Sequence, residues 1–276
     1  MKKVLFTTLL LLGLKANAQV ELGAKIGALA NVITGKAEDG ESFTPMPGGN
    51  IGIYAKFAAN EYYGIKTEAL FSLKGGTNKF NGKTYQVASV VDTIDGIPVT
   101  VPQPVIANTD YKVTNWNAYV EVPLLMYYNV SDELTIEAGP SLSFLMLSKG
   151  KGYLNWKSDE YGASSESEIK NNYKKDEAAQ PGAYAAFLEK KGNYFTTLDI
   201  GFNLGAEYAL NDKFFVGGRF QYGLHDITNN FYDRSKVDYT INDLNQQAKG
   251  VNRGDVDRNI NLSIYFGVRL YNSSDY

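Results

Sequence analysis

Residues 259–271 read NINLSIYFGVRLY. Ile260, Leu262, Ile264, Phe266, Val268 and Leu270 fall on one parity, and Asn261, Ser263, Tyr265, Gly267 and Arg269 on the other. Side chains of a β-strand alternate between faces, so this segment is a strand with one apolar and one polar face. The same dyad alternation recurs in eight segments: near Val20–Asn31, Asn50–Ala58, Tyr62–Leu73, Asn115–Tyr128, Leu134–Leu147, Tyr194–Ala209, Phe214–His225 and Asn259–Tyr271.

The connections alternate in length as regularly as the residues do. AANEY, NVSDE and LNDK are hairpin-sized. Between the other strands lie long polar stretches at 32–49, 74–114, 148–193 and 226–258. Within the second of these, Pro98, Pro102 and Pro104 favour an extended segment that continues the hairpin outward.

The chain begins MKKVLFTTLLLLGLKANAQ, with a basic start, an apolar stretch from Val4 to about Leu14 and a small-x-small site at Ala16-Asn17-Ala18. This order predicts a cleavable export signal over 1–18, with the barrel domain over 19–276. No apolar run after it reaches the ~20 residues of a membrane-spanning helix. Cys is absent, which excludes disulfides, a thiolate metal site and a lipid-modified cysteine. Removing Lys2, Lys3 and Lys15 takes the formal net charge from −3 to −6, and an acidic protein is not expected to bind nucleic acid.

An exported chain of eight two-faced strands with strictly alternating loop lengths predicts an all-β fold. Its form is an eight-stranded antiparallel up-and-down transmembrane β-barrel in the cell outer membrane, with short periplasmic turns and long extracellular loops. Only a closed barrel lets strands cross lipid without unpaired backbone groups. The polar parity then faces the lumen. It carries Glu21, Lys25, Lys56, Lys66, Glu68, Glu121, Glu137, Asp199, Glu207, Arg219 and Arg269, together with Gly23, Gly27, Gly52, Gly64, Gly139, Gly201, Gly205, Gly217 and Gly267. Eight strands enclose just enough space for side chains, so these charges are expected to form an ion-pair network that fills the lumen. Tyr63, Trp116, Tyr128, Tyr194, Tyr208, Phe214, Tyr222 and Phe266 are expected to face outward as aromatic belts.

The segment YVEVPLLMYYN, from Tyr119 to Asn129, followed by a short turn and EAGPSLSFL, resembles the Bacteroidetes PorT-like outer-membrane barrels. Glu121 and Pro123 match that group's Glu-x-Pro-Leu element. DIGFNLGAEYAL and FFVGGRFQYGLHDI also look like its strands, whereas the loops do not. The resemblance implies a barrel of porin-like type, with one branch of the group assisting type IX protein secretion.

Chemistry-bearing motifs are sparse. The single His, His225, stands beside Asp226 at the rim, and adjacent strand residues point to opposite faces, so no catalytic pair and no enzymatic activity are expected. The acidic patches at Glu38, Asp39 and Glu41, at Ser158, Asp159 and Glu160, and at Asp255 and Asp257 lack the spacing of a cation loop and are read as solvated charge, with no metal or cofactor. Tyr153, Trp156, Tyr161, Tyr173 and Tyr184 in the third long loop are the candidate interaction surface. The expected partners are outer-membrane lipid and lipopolysaccharide, the barrel-assembly machinery during insertion, and envelope proteins. A closed interaction barrel is the leading functional expectation, with a narrow porin for ions or small solutes, or a secretion accessory, as alternatives.

Overall fold

The computed structural model describes residues 19–94, 96–172, 194–229, 234–238, 249–252 and 255–273. The expected export signal lies outside them. Twelve strands occur among the described residues: β1 (Val20–Thr34), β2 (Glu41–Thr44), β3 (Met46–Ala58), β4 (Tyr63–Ile94), β5 (Ile97–Asn129), β6 (Leu134–Ser158), β7 (Ala163–Asn172), β8 (Leu198–Ala209), β9 (Phe214–Gly223), β10 (Arg234–Asp238), β11 (Lys249–Asn252) and β12 (Arg258–Asn272).

Eight of these close a ring in the order β1-β3-β4-β5-β6-β8-β9-β12, and every neighbouring pair is antiparallel. The ring is closed by β1 against β12, from Thr34↔Arg258 to Glu21↔Asn272, with a bulge beside Leu22. At its end the Val20 amide donates to Ser273 Oγ at 2.8 Å.

At the same end the three short turns share one construction. The amide groups of Ala59 and Asn60 donate to Tyr63 O, those of Val130 and Ser131 to Leu134 O, and those of Leu210 and Asn211 to Phe214 O. Inside each turn a short polar side chain accepts two further amides: Asn60 Oδ1 from Tyr62 and Tyr63, Ser131 Oγ from Glu133 and Leu134, and Asn211 Oδ1 from Lys213 and Phe214. Asn and Ser suit these positions because their side chains can mimic a backbone turn.

The wall follows the expected parity. Ile26, Ile53, Ile65, Phe71, Leu124, Met126, Leu204, Leu262, Ile264 and Leu270 are exposed on the outside, while Lys25, Lys66, Glu68, Glu121, Glu137 and Arg219 are buried inside. Tyr63, Tyr128, Tyr208, Tyr222 and Phe266 are exposed on the outer wall as expected. Tyr194 is not. It is buried beside Ile33, Tyr119, Leu145, Phe195 and Ile227, because β8 begins only at Leu198 and the chain before it turns over the lumen.

The stretches 74–114 and 148–172 are strand rather than loop. β4 and β5 continue as a hairpin to Ile94↔Ile97, β6 runs on beside β5 to Lys157↔Asn108, β7 pairs with β6, and β2 flanks β4. A five-stranded sheet, β2-β4-β5-β6-β7, thus rises from one side of the barrel. From Gly75 to Ile94 it adds roughly 65 Å of strand at ~3.3 Å per residue. Here the alternation inverts: Phe80, Tyr111 and Val113 are buried on the lumen-side parity with Leu154 and Ile169 against them, while Lys79, Asn81, Asp110 and Lys112 are exposed on the other. β7 curls back into contact with β4, which rolls the sheet around this apolar face.

From Ala107 back to Ile97, β5 has only β4 as a strand neighbour among the described residues. Pro98, Pro102 and Pro104 all lie in that stretch, where a missing amide donor costs least and blunts the free edge. Because among the described residues β4 and β5 pair only with each other there, replacing residues 85–106 by a two-residue Asn-Gly turn should leave the barrel intact. The expected result is an unchanged heat-modifiable shift on a gel. Loss of the folded band would show that the ribbon is needed for closure.

Candidate functional site

The lumen is filled by side chains in successive tiers. Nearest the short turns, Tyr54 donates to Glu21 Oε1 at 2.8 Å, and Arg269 Nε stands 3.3 Å from Glu21 Oε2. Arg269 Nη1 also donates to the carbonyls of Asn211 and Asp212, tying this tier to a turn. Lys56 Nζ lies 4.2 Å above the ring of Tyr127, a cation–π contact. Phe215 packs edge-on against Tyr54 at 5.6 Å and against Tyr265 at 6.5 Å.

The central tier draws side chains from opposite walls. Arg219 on β9 forks onto Glu68 on β4, with Nη1 to Oε2 at 2.7 Å and Nη2 to Oε1 at 2.8 Å. The same guanidinium reaches Glu137 on β6 through Nε at 3.0 Å and through Nη2. Lys66 Nζ is surrounded by Glu68 at 3.2 Å, Glu137 at 3.0 Å and Glu207 on β8. Lys25 on β1 meets Glu68 at 2.7 Å, and Tyr265 on β12 donates to Glu137 at 3.0 Å and Glu207 at 3.1 Å. Three cations therefore balance three carboxylates, and each carboxylate has at least two donors. That is the condition under which buried charge is tolerated.

Above it, Lys74 Nζ pairs with Glu121 Oε2 at 2.6 Å and donates to Gln221 Oε1 at 2.7 Å. Gln221 in turn donates to Glu121 and Ser141, both at 2.8 Å, and Asn261 donates to Gln221 at 2.7 Å. Higher still, Asn259 donates to Asp199 Oδ2 at 2.8 Å. The apolar cluster of Ile33, Tyr119, Leu145, Tyr194, Phe195 and Ile227 covers this end.

Glu21, Lys25, Lys56, Lys66, Glu68, Glu121, Glu137, Asp199, Glu207, Arg219 and Arg269 are placed on the inner face. Lys74, within the stretch expected to be a loop, is a twelfth, and it continues the parity of Lys66 and Glu68. With it these tiers hold six acids and six bases and carry no net formal charge.

The glycines fit the bulky rings. A Cβ on Gly267 would overlap the Phe215 ring, and one on Gly23 the Tyr54 ring and the Val268 carbonyl. A Cβ on Gly217 would meet the Tyr265 ring.

Of the aromatics of the third long loop, the described Tyr153 and Trp156 face opposite sides of their strand. Tyr153 is on the outward parity of β6, Trp156 on the inward parity, and Tyr161 in the turn between β6 and β7, because residues three apart on a strand face opposite sides. Tyr173 and Tyr184 lie outside the described residues.

His225 is exposed, while Asp226 Oδ1 accepts from the amide and hydroxyl of Thr228 and from the Asp257 amide. Two acids read as solvated are buried instead. Glu41, in β2, accepts from Asn78 and from the Glu38 amide, and Asp257 accepts from Thr228.

A concavity of about 850 Å³ lies on the outer wall, where Ala28, Ala206 and Gly218 interrupt the large side chains between Ile26, Tyr208, Val216 and Phe266.

A family model described as outer membrane protein beta-barrel domain matches residues 13–229. The chain belongs to that family. Membership assigns the barrel to the outer membrane, in keeping with its apolar outer wall. Among solved structures it is similar to Ail, the attachment invasion locus protein of Yersinia pestis, at 9% identity and TM-score 0.33, covering 92% of this chain and 100% of that one. It is also similar to Neisserial surface protein A, at 11% identity and TM-score 0.34, covering 90% and 97%. A third is OprG from Pseudomonas aeruginosa, at 11% identity and TM-score 0.32, covering 92% and 96%. No curated protein matches the sequence.

Proposed function

We propose that this outer-membrane barrel is a closed interaction protein of the PorT-like type, exported by a cleavable signal over residues 1–18. Its short turns lie in the periplasm, and its raised sheet is displayed outside the cell for partner proteins. The observation that carries this reading is the central ion-pair tier, in which Lys25, Lys66, Arg219, Glu68, Glu137 and Glu207 meet across the lumen from opposite walls. An open porin keeps its charges on the wall and water on the axis. Here the axis is occupied by the charges themselves, and the external mouth by Tyr194 and Phe195.

The raised sheet supports the second half of the reading. Residues beyond the membrane wall have no role in closing the barrel, yet they form strands with an apolar core of their own.

Single-channel recording of the refolded barrel in a planar bilayer is the test. A folded, inserted barrel is expected to give no discrete openings. Steady conductance steps would overturn the closed reading in favour of a narrow porin. Loss of protein export on deletion of the gene, with barrel partners co-purifying, would specify the partner as a secretion machine.

A further inference from the structure

The outward parity of the raised sheet changes character at a definite height. On β5 the lipid-facing residues run from Tyr128 to Trp116, about 40 Å of strand at ~3.3 Å per residue, or about 30 Å along the membrane normal at a tilt near 40°. That matches the ~30 Å hydrocarbon thickness of a bilayer, so Trp116 stands at its outer edge.

Lysines begin at that edge. Lys149 is paired with Trp116 itself. The next outward row, Thr77–Thr114–Lys151–Lys170, adds two more, and the row above it, Lys79–Lys112–Tyr153–Glu168, another two. All five lysines are exposed. In these rows Glu168 is the single acid, held by Lys170 at 2.7 Å, and the ammonium keeps its carboxyl below the usual range. Successive rows are ~7 Å apart along the strand. The first two therefore occupy the headgroup zone, which adds only about 5–8 Å to each side of the hydrocarbon. Higher up the imbalance ends: Asn81–Asp110–Asn155–Glu166 and Lys83–Asn108–Lys157–Ser164 mix both signs. Lys149, Lys151 and Lys170 stand at headgroup height and Lys79 and Lys112 one row above, within reach of it on their four-carbon stems; with Glu168 the one carboxylate among them, they form a cationic shelf facing lipid on an otherwise acidic protein.

We propose that Lys79, Lys112, Lys149, Lys151 and Lys170 bind the phosphate groups of outer-leaflet lipid headgroups, fixing the height of the raised sheet against the membrane surface. The inference rests on the outer-membrane reading, and the ligand chemistry is a phosphate monoester or diester carried on a lipid. Lysine suits this role as a mobile point charge with three donors that follows a fluid headgroup.

The test uses the full barrel in detergent micelles with Trp156→Phe, which leaves Trp116 as the reporter, since the chain has two Trp. Diphosphorylated lipid A, the same lipid stripped of phosphate, and inorganic phosphate are titrated separately, and Trp116 emission is followed. Diphosphorylated lipid A is expected to saturate the signal, and binding should weaken with added salt. Replacing Lys79, Lys112, Lys149 and Lys151 together by Gln should raise the midpoint by roughly a hundredfold, the combined weight of several lysines near an anionic surface. Arg at the same positions should restore it, and Lys83→Gln with Lys157→Gln should leave it unchanged. An unaltered midpoint in the four-Gln variant, or equal binding of the phosphate-free lipid, would overturn the proposal. Saturation by inorganic phosphate at the same midpoint would reassign the shelf to a free anion. Heat-modifiability of every variant confirms the barrel, and fractionation of the native protein tests location separately. If the four-Gln variant fails to fold, Lys112→Gln with Lys149→Gln carries the comparison.

Discussion

Arg219→Met should cost about 3–5 kcal/mol of barrel stability, the usual penalty for breaking a buried ion network by removing one partner. Arg219 is buried and holds Glu68 in a two-pronged contact while reaching Glu137. Without it, three carboxylates face only Lys25 and Lys66, and one negative charge is stranded in the lumen. Arg219→Lys keeps the charge but loses the fork, and should cost clearly less. Urea unfolding in lipid vesicles, followed by the heat-modifiable band, reads both. Equal stability of the Met variant and the parent would mean that water enters the central tier and that the lumen is not filled.

The second large effect is steric. Gly267→Val should prevent closure or destabilise the barrel by about 3 kcal/mol or more, since overpacking a dense interior forces rings and backbone apart. The added Cβ would enter the Phe215 ring, which is itself wedged between Tyr54 and Tyr265. Removing the obstacle should rescue the variant. Gly267→Val combined with Phe215→Ala is expected to fold better than Gly267→Val alone, and a double-mutant cycle on folded fraction measures the coupling. Additive losses would place the ring elsewhere.

The barrel itself was readable from parity because membrane imposes one rule on every strand. Lipid demands apolar side chains outside, and a narrow lumen collects the polar ones. Hence Glu21, Lys25, Glu137 and Arg219 could be assigned a direction from their positions alone. Lys74 shares this parity but is not legible as strand, because the apolar outer stripe that marks the strand ends at Leu73. Beyond that point the strands continue under the opposite rule, with water outside and Phe80, Tyr111 and Val113 packed within. A search for apolar residues on one constant parity reads such a reversal as a loop. The reversal is itself the mark of the membrane surface, and in β5 it falls at Trp116.

Tyr194 differs for another reason: the parity of β8 does not extend to residues 194–197, where Thr196 and Tyr194 instead exchange backbone bonds with Ile227 and Asn229. Which charges would meet across the lumen was equally beyond the sequence. Partner choice there depends on strand stagger, which brings Arg219 to Glu68 across 151 positions of chain.

The seam between β1 and β12 sets the order of events during assembly. Its partners are the earliest and the latest described stretches of the chain, joined in register from Thr34↔Arg258 to Glu21↔Asn272. Contacts so remote in sequence form slowly, because the entropy of bringing the ends together is lost before any of their bonds is gained. Neighbouring strands joined by short turns can pair locally, yet the cylinder stays an open sheet until β1 and β12 meet. Completion is therefore a single late event, and any pause before it leaves β1 waiting for a partner that only another molecule or an assembly factor can supply.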